Sequence, residues 1–159
     1  MDWNHYRFHC SWRVDADPGA VHEVLARADR YPEWWPQVRG IRRTGETTAV
    51  LRLRSLLPYD LVVTASSLRD DPRTGVLEVA LSGDLEGWAR WTVRPGPRAA
   101  GRTSPSTVLD YEQEVAVTKP LMRVLAPPCR PLFRANHALM MRSCRAGLRA
   151  RLAAARHPV

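Results

Sequence analysis

Between Val38 and Val117 turn signals cut the chain into six short stretches, and each of them reads as a strand. The sharpest is TVLDYEQEVAV, where Leu109, Tyr111, Gln113 and Val115 alternate with Asp110, Glu112 and Glu114. A period of two places the first set on one face of a sheet and the three acids on the other. The preceding stretches are VRGIRRT, TAVLRLRS, YDLVVTASSLRD, VLEVALS and LEGWARWTV. In the last of these Leu85, Ala89, Trp91 and Val93 look inward, while Glu86, Arg90 and Arg94 look outward. Arg52 and Arg54 oppose Leu51 and Leu53 and read as solvent-facing. Most connections are too short for the crossovers that parallel strands need, so the run predicts an antiparallel meander.

The flanks complete the architecture. YRFHCSWRV alternates as a first strand, making seven, and DADPGAVHEVLARA follows with Asp17 as N-cap and Pro18 at the first helical position. Tyr31 to Pro36 has room for one further turn, since both prolines disfavour helix at the residue before them. The last segment predicts a short helix ended by Pro127 and Pro128 and a long one from Pro131 to about Ala155. On that long helix Phe133, His137, Met140, Cys144 and Leu148 form one stripe, with Arg134, Arg142, Arg145, Arg149 and Arg156 on a separate arc, a basic back. The length fits one domain spanning residues 1–159.

Charge narrows the partners. Residues 1–114 hold 15 arginines and all 16 acidic residues, a net of −1, whereas residues 115–159 hold eight arginines, one lysine and no acid, a net of +9. No aromatic residues interleave with the late arginines as a stacking platform for nucleic acid requires, so no nucleic-acid partner is expected. Transient contact with an anionic membrane fits the basic segment better. Three scattered cysteines make no disulfide framework and no Cys-x-x-Cys pair. His5, His9 and Cys10 lack a partner cluster and read as polar residues of a strand, so neither a metal nor a cofactor is assigned. Apolar stretches fall short of the ~20 residues that span a bilayer, and the first twenty residues lack a signal pattern. The expectation is a soluble, cytoplasmic protein, monomeric or homodimeric.

The order of strand, short helix pair, six-strand meander and long final helix resembles the START-like (SRPBCC) superfamily, and the motifs narrow it further. WRVDADPGAVHEVL followed by YPEWWPQV is similar to the opening of the polyketide cyclase/dehydrase and lipid-transport family, as are GDLEGWARWTV, RSLLPYDL and PLFRANHALMM to its later elements. The resemblance implies an α+β helix-grip fold: a seven-stranded antiparallel sheet wrapped around the C-terminal helix, with two short helices after the first strand. It also implies that the Tyr31, Trp34, Trp35 turn closes one end of a cavity between sheet and helix; of two adjacent tryptophans on a tight turn one is expected to go in, and the expectation is Trp35 inward and Trp34 nearer the surface.

Three functions follow from that expectation. The first is binding of a hydrophobic small molecule, polyketide- or lipid-like, by a wall of Trp35, Tyr59, Trp91, Tyr111, Phe133, Asn136, His137 and Met140. The second is polyketide cyclisation by aldol condensation and dehydration, for which His137, Tyr59, Tyr111 and Asn136 are the available polar groups and no catalytic residue is assigned. The third is peripheral docking of the basic helix on anionic membrane. His137 stands out because an apolar residue would pack in its stripe at less cost.

Overall fold

The computed structural model describes residues 2–54, 60–97, 100–101 and 103–156. Strand β1 (His5–Val14) leads into α1 (Pro18–Ala26), a 3-10 turn (Ala28–Arg30) and the single-turn α2 (Tyr31–Trp34). Then come β2 (Val38–Arg43), β3 (Thr48–Leu53), β4 (Leu61–Asp71), β5 (Val76–Gly83), β6 (Leu85–Pro95), β7 (Thr107–Val117) and α3 (Pro120–Arg156). The seven strands form one antiparallel sheet in the order β1-β7-β6-β5-β4-β3-β2. A meander therefore runs from β2 to β7, and β1 closes on its far edge. This is the helix-grip arrangement, with α3 lying along the inner face of the sheet.

Local chemistry explains the joints. Asp17 caps α1 by accepting from the amides of Gly19 and Ala20 at 2.9 and 3.3 Å, and Pro18 occupies the first turn, where a missing N–H costs nothing. Tyr31 precedes Pro32 yet is helical at φ −54°, ψ −39°, because its hydroxyl is anchored at 2.5 Å to the Leu25 carbonyl and Pro32 falls in the first turn of α2. Trp35 does leave the helix before Pro36. In β7 the alternation holds throughout: Leu109, Tyr111, Gln113 and Val115 are buried. The three acids face outward into cross-strand pairs, Asp110 with Arg94, Glu112 with Arg90 and Glu114 with Arg7. Such exposed pairs fix register more than they stabilise.

The expectation of a helix broken at Pro127 and Pro128 is overturned, since α3 runs without interruption through Pro127, Pro128 and Pro131. A proline inside a helix costs roughly 3 kcal/mol, partly for the carbonyl left without a donor four residues back. Here those carbonyls belong to Arg123, Val124 and Pro127, all exposed, so water can satisfy them. Burial on both sides of the prolines holds the axis continuous: Met122, Ala126 and Phe133 pack into one cluster with Tyr6, Leu61, Val63, Val115 and Val117. A second cluster, around Trp12, Trp34, Trp35, Trp91, Leu109, Met141 and Leu148, joins the later half of α3 to α1, α2 and the sheet. No described helix is long and apolar enough to cross a membrane.

Candidate functional site

The aromatic turn is clasped to α3 at four points. The Trp35 indole N–H donates to the Met140 carbonyl at 3.1 Å, and the Gln37 amide donates to the Ser143 hydroxyl at 2.9 Å. Arg151 pairs with Glu33 at 3.3 Å. Between them Gly147 sits so close to α2 that a Cβ there would lie 1.7 Å from the Trp34 carbonyl oxygen, so only glycine permits the approach. Trp34 and Trp35 stack at 5.9 Å, and Tyr31 meets both rings. The expectation that Trp34 stays near the surface is therefore corrected: both rings are buried, because the close approach at Gly147 covers Trp34 with helix. Trp35 alone of the two faces the interior space.

That space is a cavity of about 560 Å³ between the sheet and α3. Of the residues expected on its wall, Trp35, Trp91, Tyr111, Phe133, Asn136, His137 and Met140 all line it, while Tyr59 lies outside the described residues. Most of the remaining wall is aliphatic, from Leu51, Leu53, Val63, Leu77, Val79 and Leu81 on the strands to Met141 on the helix. Charged groups of the lining, including Arg43, Arg54, Arg69, Asp29 and Asp70, are exposed; Glu78 is half-buried and is paired with Arg90 at 2.6 Å.

In the interior the polar chemistry is concentrated on β7 and the facing turn of α3. Tyr111 donates its hydroxyl proton to Gln113 Oε1 at 2.6 Å, and His137 Nε2 stands 3.1 Å from the same oxygen. Since that oxygen only accepts, Nε2 carries the ring proton and Nδ1 is left as the acceptor. Phe8 stacks on the imidazole with centroids 3.6 Å apart and planes 6° from parallel, which fixes the ring. Burial lowers the His137 pKa to about 4 and raises that of Tyr111 well beyond its ordinary range, so both are neutral at pH 7. With its oxygen used twice, the Gln113 amide nitrogen has no acceptor among the described residues. Gln113 was absent from the expected wall. The alternation of β7 put it on the inner face, but nothing in the sequence distinguishes a buried glutamine that orders a site from one that merely tolerates burial.

Among the described residues no group of three or more His, Cys, Asp or Glu side chains is placed to hold a metal ion. No curated protein matches the chain by sequence. Solved structures similar in fold include a START superfamily protein from Mycobacterium smegmatis, at 15% identity and TM-score 0.71, covering 92% of this chain and 96% of that one. The aromatase/cyclase Zhui from a Streptomyces species is similar at 14% identity and TM-score 0.69, covering 97% of each chain. A major latex-like protein from Panax ginseng is similar at 10% identity and TM-score 0.61, covering 93% of this chain and 97% of that one. Identities this low carry the fold and nothing finer. The sequence itself matches the family model described as polyketide cyclase / dehydrase and lipid transport over residues 14–142, most of its length, and the chain belongs to that family.

Proposed function

We propose that the chain binds a neutral, largely apolar small molecule, polyketide- or lipid-like, with its polar end against Gln113 and His137. The observation that carries this reading is the uncharged Tyr111, Gln113, His137 cluster in the wall of an otherwise apolar cavity. A volume of about 560 Å³ falls within the range of about 300–1,000 Å³ typical of sites that enclose drug-sized guests. The Gln113 amide offers a donor to a carbonyl, and His137 Nδ1 offers an acceptor to a hydroxyl. A carboxylate headgroup suits the interior poorly, because the arginines of the lining are exposed and a buried unpaired charge is strongly disfavoured.

Cyclisation is the weaker reading. Aldol chemistry calls for an acid and a base whose pKa values lie near the working pH. His137, held at about 4, is a weak base, and Tyr111, pushed upward by burial, is a weak acid. Native mass spectrometry of the purified protein tests the binding reading. A fixed mass increment that vanishes on denaturation supports it. Bare chain mass, with no increment after incubation with neutral hydroxylated aromatics, contradicts it.

A further inference from the structure

The outward side of α3 does not match a simple solvated helix back. Leu121, Val124, Leu132 and Leu139 are 52%, 76%, 40% and 42% exposed. Their spacings of three, eight and seven residues are close to one, two and two helical turns, so they share one face, opposite the buried stripe. Pro128 and Ala135 lie exposed on the same face, which is thus apolar over its first five turns. The expected basic arc runs along one flank of this face; Arg149 of that arc is engaged, as are Arg130 and Arg151 outside it. Arg149 donates to the Arg13 carbonyl, Arg151 pairs with Glu33, and Arg130 donates to the Trp3 and His5 carbonyls. Arg123, Arg134 and Arg142 remain exposed, with no carboxylate partner among the described residues.

We infer that this face of α3 docks on the surface of an anionic phospholipid bilayer, its leucines entering the acyl boundary and its flanking arginines meeting the headgroups. Charge complementarity selects that occupant, because residues 115–159 carry nine cations and no acid. A second copy of the chain fits badly: a two-fold contact through this face would set the acid-free segment against itself. Nucleic acid fits no better, since the face offers leucines and no aromatic ring. Arginine stems lying along apolar surface while their guanidinium groups reach headgroups is the usual way a helix flank serves such an interface. The inference is independent of what the cavity holds.

Co-sedimentation of the full chain with two kinds of vesicle tests it: phosphatidylcholine mixed with phosphatidylserine, and phosphatidylcholine alone. Wild type is expected to pellet with the mixed vesicles and not with the neutral ones. Replacing Val124→Ser, Leu132→Ser and Leu139→Ser together is expected to cut partitioning at least about tenfold with only a small drop in the melting temperature, since Val124 is largely and the two leucines partly exposed. Arg134→Gln with Arg142→Gln is expected to do the same through charge; should the serine variant prove unstable, this pair alone decides. Wild type that stays in the supernatant overturns the inference, as does undiminished pelleting of either variant. A wild-type dimer that the serine variant dissolves, seen by sedimentation velocity, overturns it too and assigns the face to self-association.

Discussion

His137 Nε2 and the Tyr111 hydroxyl converge on a single acceptor, Gln113 Oε1, at 3.1 and 2.6 Å. One oxygen on the inner face of β7 thereby ties the sheet to α3 and sets the tautomer of His137, the one imidazole of the cavity wall among the described residues. Removing it strands two donors at once, one buried on Tyr111 and one half-buried on His137. Gln113→Leu is therefore expected to lower stability by about 1–3 kcal/mol, the cost of unsatisfied buried groups, measured by urea denaturation. A variant as stable as wild type would show that the donors find other partners and that Gln113 orders nothing.

The buried imidazole has a pH signature. Burial depresses the His137 pKa from its ordinary 6.5 to about 4. Between those values the unfolded chain takes up a proton that the folded chain refuses, so stability rises with pH across the window and is indifferent above it. His137→Leu removes that proton. Relative to wild type, the variant is expected to gain about 2 kcal/mol on going from pH 7 to pH 5. Parallel pH profiles for the two proteins would contradict a neutral, buried His137.

At Gly147 two effects oppose each other. Alanine is worth about 1 kcal/mol more than glycine within a helix, but its Cβ would stand 1.7 Å from the Trp34 carbonyl oxygen. Backbone cannot yield that distance without opening the clasp between α2 and α3, so the steric cost wins. Gly147→Ala is expected to destabilise by about 2–3 kcal/mol and to red-shift tryptophan emission as Trp34 and Trp35 loosen. A stabilised variant would place α2 further from the helix than described.

The prolines of α3 provide the reverse case. Because α3 is continuous, Pro128→Ala restores an N–H aimed at the Val124 carbonyl on the exposed face. The expected gain is about 1–2 kcal/mol, less than the full helix-interior cost of proline because the unfolded chain also gains freedom. A melting temperature unchanged or lowered would favour a helix interrupted at that point.

How far the sequence reaches differs from element to element. The strands of the meander are legible because each buries one face only, and burial on one face writes a period of two into the residues. Asp110, Glu112 and Glu114 show it most plainly, all three turned outward. The continuity of α3 is not legible, because proline propensity is local while the packing of Met122, Ala126 and Phe133 that overrides it is tertiary. Trp34 could not be placed either, since its cover comes from a glycine more than a hundred residues away. His137 could be marked as a polar residue in an apolar stripe. Its partner could not be named, because the register that sets Gln113 opposite it belongs to the fold.

The central claim, that the cavity takes a neutral apolar guest, is tested most directly by titrating the protein with Nile red, an uncharged fluorophore that brightens in apolar surroundings. Wild type is compared with Ala65→Trp, which places an indole in the cavity from β4 while leaving Tyr111, Gln113 and His137 untouched. Saturable binding to wild type, weakened at least about tenfold by the indole, or about 1.4 kcal/mol, is the expected result. A folded Ala65→Trp protein that binds the probe as well as wild type, or a wild type that does not bind it at all, would contradict the account.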